Sequence, residues 1–258
     1  MICLVTDRRR LSTTADDVDR LVDLVAAAAR AGIDLVQVRE RDLDARRLVE
    51  LVRRCVAAAE GTGMKVLVND RVDVAMAAGA DGVHLRGDSI AAAAVRSLVG
   101  DGASVGRSVH GAEEAAAVSR AGGLDYLIFG TVYPTASKGA GHPVATLDEL
   151  SAACRAAAGL KAGTTYSGGV STRSADLPPS RKASADHRSL GGGGRVGVPV
   201  LAIGGMTVER AAEVARAGAA GIAGIGLFVP PAGASADRHL QTVAARLRRA
   251  FDTCEAVS

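Results

Sequence analysis

The sequence predicts an α/β protein, a (β/α)8 or TIM barrel built as one domain over residues 1–258. Three observations lead there. Short apolar runs alternate eight times with longer alanine-rich stretches whose apolar residues recur at helical spacing. Of the 258 residues 48% are hydrophobic but only 2% aromatic, so the core must be Ala, Val, Leu and Ile, which suits a parallel sheet covered by helices. No Gly-x-Gly-x-x-Gly follows the first strand, which weakens the nearest alternative, a doubly wound dinucleotide-binding sheet.

Taken in order, Ile2–Thr6 is the first strand, and Ala15–Ala31 a helix with Leu21, Leu24 and Val25 on one face. Leu35–Arg39 is the second strand, followed by a helix at Ala45–Glu60 that stops at Gly61. Lys65–Asn69 is the third strand, and Arg71–Ala78 a short helix closed by Gly79. Gly82–Leu85 and helix Ile90–Leu98 form the fourth unit; Gly100 and Gly102 mark the turn that ends it. Ser104–Val109 with helix Ala112–Ala121 is the fifth, and Tyr126–Tyr133 with helix Leu147–Ala158 the sixth. Val198–Ile203 is the seventh strand, with helix Val208–Ala217, and Gly221–Phe228 the eighth, with helix Asp237–Phe251. Residues 161–197 break the rhythm. They are rich in Gly, Ser, Arg and Pro without periodicity, and read as a disordered insertion on the bottom face of the barrel.

The formal charge of +3 is too small to argue for nucleic acid, and basic residues do not interleave with aromatics. Cys3, Cys55, Cys154 and Cys254 are scattered without a Cys-x-x-Cys pair, as expected of reduced thiols in a cytoplasmic protein rather than of a disulfide frame or zinc site. The N-terminus lacks the order of a signal peptide, and no apolar run approaches the roughly 20 residues of a membrane helix. A homo-oligomer is compatible with the sequence.

Polar groups collect where the strands end, the face on which a barrel carries its chemistry. In Leu-Val-Gln-Val-Arg-Glu-Arg-Asp, residues 35–42, strand alternation puts Gln37, Arg39 and Arg41 on one face. Buried cations need partners, so these residues either form internal salt bridges or meet an anion such as phosphate or diphosphate. Asn69 and Asp70 follow strand three, His84 and Asp88 strand four, and Ser108 and His110 strand five. Thr135, Ser137 and Lys138 follow strand six, Gly204 and Gly205 strand seven. Asp70 or Asp88 could instead cap the next helix. His84 is better read as a satisfied core histidine, and the glycine pair as a tight turn or a phosphate cradle. The inventory suits a phosphorylated substrate with Mg²⁺ better than a hydride cofactor.

The joint run of VQVRERD, VNDRVDVAMAAGADGVHL, GRSVH, FGTVYPTASK and VPVLAIGGM resembles the thiamine-phosphate synthase/TenI superfamily along nearly the whole chain outside 161–197. The resemblance implies a barrel that joins a hydroxymethylpyrimidine diphosphate to a thiazole phosphate, small phosphorylated substrates, with diphosphate leaving. It implies that Gln37, Arg39, Asn69, Ser108 and Lys138 hold the pyrimidine diphosphate, with Arg41 where a Lys is usual and Arg39 and Lys138 as the catalytic cations. Thr135, Ser137 and Gly205 would hold the thiazole phosphate. Asp70 would bind Mg²⁺. Synthases usually place a second metal-binding Asp where this chain has Ser89 in Arg86-Gly87-Asp88-Ser89, so Asp88 is the expected substitute. The last strand, GIAGIGLF, lacks the usual Val-Ser. Two alternatives remain: a TenI-type thiazole tautomerase, whose catalytic His is replaced here by Thr131, and a non-catalytic phosphate-ligand-binding regulator.

Overall fold

The computed structural model describes residues 1–11, 17–135, 138, 141–159 and 197–255. Eight parallel strands close into a barrel in chain order: β1 (Ile2–Val5), β2 (Leu35–Val38), β3 (Lys65–Asn69), β4 (Gly82–Leu85), β5 (Ser104–Val109), β6 (Tyr126–Gly130), β7 (Val200–Ile203) and β8 (Gly221–Gly224). The helices are α1 (Asp17–Arg30), α2 (Ala45–Ala58), α3 (Val72–Ala78), α4 (Ala92–Val99), α5 (Ala112–Ala121), α6 (Leu147–Ala158), α7 (Ala211–Arg216) and α8 (Ala236–Glu255). Closure comes from β8 lying beside β1, with Ile2 opposite Ile222 and Leu4 opposite Gly224.

Alternation along the strands makes two cores. Val36, Val38, Val66 and Val68 point outward against Leu21, Val25, Leu51 and Val52 of the helices. Cys3, Val5, Leu35, Leu67, Tyr126, Ile128, Leu201 and Ala223 point inward and fill the barrel. Gly106 matters here: a Cβ on it would lie 2.1 Å from the Tyr126 ring, so only glycine lets that ring cross the interior. Lys65, below, donates to the Ser104 hydroxyl at 3.0 Å.

Local chemistry sets the helix starts. Asp44 accepts from the Arg47 amide at 2.9 Å to begin α2. Thr146 and Glu149 exchange hydrogen bonds as a capping box for α6. Several elements are shorter than the sequence suggests. β2 stops at Val38 because the Arg39 amide donates to the Thr6 hydroxyl, at 2.9 Å, instead of to a neighbouring strand. β6 stops at Gly130 and β8 at Gly224, where a 3₁₀ turn, Gly226–Phe228, takes over from the predicted strand. α7 begins at Ala211 rather than Val208, after a tight turn in which the Arg210 amide donates to Thr207 at 3.4 Å.

The predicted insertion lies outside the described residues except for Gly197. The described residues on either side of it meet: the Val198 amide donates to the Ala157 carbonyl at 3.2 Å. Cys3, Cys55 and Cys154 are buried free thiols. No helix among the described residues is long and apolar enough to cross a membrane.

Candidate active site

A cavity of about 820 Å³ opens at the C-terminal ends of the strands. Gln37, Arg39, Arg41, Asn69, Asp88, Ser108, Thr135, Lys138 and Gly205, all anticipated from sequence, line it. Asp70 sits just behind Asn69, and Ser137 lies outside the described residues.

The β2 exit corrects the alternation argument. The strand ends before Arg39, so the three polar groups are graded rather than equivalent: Gln37 is buried, Arg39 half-buried and Arg41 exposed. The internal salt bridge does exist, but Arg8 makes it. Its guanidinium donates to Glu40 at 3.0 Å and to Asp42 at 2.6 Å. Arg8 holds the Asp42 carboxyl well below its usual range, while burial pushes Glu40 up. Neither Arg39 nor Arg41 forms an ion pair among the described residues, so both charges face the cavity. Burial, then Arg41, lower the pKa of Arg39, although an arginine stays charged at any working pH.

Beside it, the Gln37 amide donates to Asn69 at 2.8 Å, fixing both side chains at the cavity floor. Deeper still, His84 is buried between the Tyr126 hydroxyl, 3.0 Å from Nδ1, and the Ser108 hydroxyl, 2.9 Å from Nε2. Burial and the charge of Arg107 push its pKa down to about 3. Neutral imidazole donates at one nitrogen and accepts at the other, so His84 fixes the orientation of the Ser108 hydroxyl. His84 is thus the satisfied core histidine expected, with a positioning role.

Asp70 has φ of +63°, a left-handed conformation that Asp tolerates better than most side chains. Its amide donates to the His84 carbonyl at 2.8 Å. One carboxylate oxygen accepts from the Ser89 hydroxyl, and the other is 3.5 Å from the Arg86 guanidinium. Asp88 is exposed and paired with the same guanidinium. Neither aspartate caps a helix: the N-cap positions of α3 and α4 are Arg71 and Ala91, neither with a side-chain cap. The donor set is a poor fit for Mg²⁺. A hard dication wants oxygen ligands, and a guanidinium stands against both carboxylates. No cluster of three His, Cys, Asp or Glu among the described residues could hold a metal.

The opposite wall is backbone. Gly204 has φ of +101° and Gly205 of +58°, and a Cβ on Gly205 would lie 2.5 Å from the Pro134 carbonyl oxygen. Arg210 stacks 4.3 Å from the Tyr133 ring centre and donates to the Gly205 carbonyl, tying the glycine turn to α7. Gly224, Ile225 and Gly226 continue this wall. His110 closes it, with Nδ1 donating to the Gly130 carbonyl at 2.6 Å.

Sequence reasoning missed Arg10, Arg86, Glu114 and Arg210 as cavity residues. Arg86 carried a signal, since it falls inside the departing Arg86–Ser89 run. Arg210 carried none, because the predicted helix absorbed it.

The family described as thiamine monophosphate synthase (TMP-TENI) matches residues 2–190. A thiamine-phosphate synthase of Roseiflexus castenholzii is 33% identical over 247 residues, covering 95% of this chain and 89% of that one. Another, of Haloquadratum walsbyi, is 36% identical over 203 residues, covering 78% and 73%. The fold is similar to the solved thiamine phosphate pyrophosphorylase of Pyrococcus furiosus, with a TM-score of 0.67, 24% identity and coverage of 98% and 96%.

Proposed function

The chain belongs to the thiamine-phosphate synthase/TenI family, and from that premise we propose that it is a thiamine-phosphate synthase. The reaction joins hydroxymethylpyrimidine diphosphate to thiazole phosphate. The thiazole nitrogen attacks the pyrimidine methylene carbon, the carbon–oxygen bond to diphosphate breaks, and its electron pair leaves with the diphosphate. One observation carries the reading: a single cavity is lined by Gln37, Arg39, Asn69 and Ser108 at the exits of β2, β3 and β5, by Thr135 and Lys138 after β6, and by the Gly204–Gly205 turn after β7.

Within this reading the Gln37–Asn69 pair and Ser108 orient the pyrimidine. Arg39, Arg41 and Lys138 face the negative charge that grows on the leaving group, and pre-placed cations in a partly dry site are worth most at that moment. The glycine turn offers backbone N–H groups to the thiazole phosphate. No step is assigned to Mg²⁺. The reading includes a cytoplasmic location, with which three buried free thiols agree, and is compatible with a homo-oligomer.

The test is incubation of the chain with both precursors, with Mg²⁺ and with chelator, following thiamine phosphate by mass spectrometry. Thiamine phosphate and diphosphate should appear in equal amounts. Binding of both precursors without product would replace the synthase with a binding protein.

His110 supports a second reading, the tautomerase. Its Nδ1 is tied to Gly130, directly before Thr131, leaving Nε2 for proton transfer in the same cavity. Exchange of a thiazole ring proton with D₂O, lost in His110→Asn, would favour that activity; no exchange would remove it.

A further inference from the structure

We propose that Arg86 brings to the diphosphate, from within the chain, the positive charge that a dication would otherwise supply, so that diphosphate binds at this mouth without a metal. The identity of the ligand rests on the synthase reading above; the site itself rests on geometry.

The guanidinium of Arg86 lines the cavity and stands between two carboxylates, 3.5 Å from Asp70 on one side and in contact with Asp88 on the other. A cation placed there repels a second cation. The Ser89 hydroxyl does not offer itself as a ligand either. It accepts from the Arg86 amide at 2.9 Å and gives its one proton to Asp70.

The position is built. Residues Arg86 to Ser89 form a turn closed by the Ser89 amide on the Arg86 carbonyl at 3.3 Å. Buried Arg107 pins that turn by donating to the carbonyls of Gly87 at 2.6 Å, Ser89 at 3.1 Å and Ile90 at 3.0 Å. The turn cannot readily rotate to bring Asp88 to the place of Ser89. Asp88 points into solvent, with 69% of its side chain exposed. An exposed partner is released cheaply, so a diphosphate can take over the guanidinium from Asp88 while Asp70 keeps it in place.

The surroundings agree. Arg39, Arg41 and Lys138 line the same cavity, against two carboxylates among the described lining residues, Asp88 and Glu114. Burial and Arg41 lower the pKa of Arg39 most, and the charge of Arg86 adds to the same direction. A planar guanidinium also offers paired donors that match two phosphate oxygens, which a metal ion with its water shell does not.

The experiment is calorimetric titration of inorganic diphosphate into the full chain, in EDTA and in excess Mg²⁺. The wild type should bind in EDTA within about threefold of its affinity in Mg²⁺. Arg86→Ala and Arg86→Gln should each weaken binding in EDTA by roughly tenfold or more, with an unchanged melting temperature, and Arg86→Lys should recover part of it. The double variant Arg86→Gly with Ser89→Asp should turn binding Mg²⁺-dependent by roughly tenfold. Wild-type binding that vanishes in EDTA, or Arg86→Ala binding like wild type there, would overturn the proposal. Coupling activity is read separately. A chain that binds diphosphate through Arg86 but forms no thiamine phosphate upholds this site and removes the synthase reading. A chain that forms thiamine phosphate but whose diphosphate binding vanishes in EDTA does the reverse.

Discussion

At the exits of β2 to β5 the cavity wall is made of side chains, while at the exits of β7 and β8 glycine backbone makes much of it. Gln37, Asn69 and Ser108 line it from paired strands and Arg39 from just past the end of β2, whereas Gly204, Gly205 and Gly226 bring the chain itself to the cavity. A side-chain wall can lose one group and keep its shape. A backbone wall cannot, because its geometry depends on what is missing: a Cβ. The two walls should therefore fail differently, in ligand affinity on one side and in shape on the other.

The largest effect is expected at the backbone wall. Gly205→Ala puts a methyl against the Pro134 carbonyl at a positive φ, so the turn or its neighbour must move. A displacement of about 1 Å costs roughly 100-fold in rate, and thiazole phosphate affinity should fall with it. Normal kinetics in this variant would erase the contrast. On the side-chain wall, Arg39→Ala should weaken binding of the pyrimidine diphosphate by about 1.5–3 kcal/mol with little change in melting temperature. Unfolding of the variant, with normal binding by its folded fraction, would make Arg39 structural instead.

A pH scan sharpens the comparison beneath the side-chain wall. His84 titrates near 3 when folded but near the ordinary 6.5 when unfolded. Its folded pKa is depressed, so the unfolded chain binds the proton first, and stability falls as pH drops below about 6.5. At pH 4.5 the loss should be on the order of 2–3 kcal/mol by denaturant melts. His84→Gln should flatten that slope; an unchanged slope would place the titration elsewhere.

The smallest effect belongs to neither wall. Replacing residues 160–196 by about four Gly and Ser residues should shift the melting temperature little and leave coupling intact, because Val198 already bonds to Ala157. Loss of folding would show that the segment packs on the barrel.

The same contrast explains what the sequence revealed. Short apolar runs alternating with alanine-rich helical stretches carried all eight strands, and residue type carried Arg39, Asn69 and Ser108. The tie of Arg39 to Thr6 was hidden, because a backbone-to-hydroxyl bond leaves no spacing signature. So the sequence draws β2 one residue too long, and the internal ion pair that it leaves open for Arg39 and Arg41 is made by Arg8 instead. Arg86 was legible only as a break in a pattern. Its meaning needed the fold to bring Asp70, 16 residues earlier, to the same guanidinium.

The glycine that lets Tyr126 cross the barrel also governs traffic. With Tyr126, Leu67, Leu201 and Ala223 fully buried beneath the cavity floor, the interior below is a plug, not a passage. Whatever enters from the strand ends must go out by the same door. The floor of the cavity is thus set by a ring lying where a side chain at residue 106 would have kept it out.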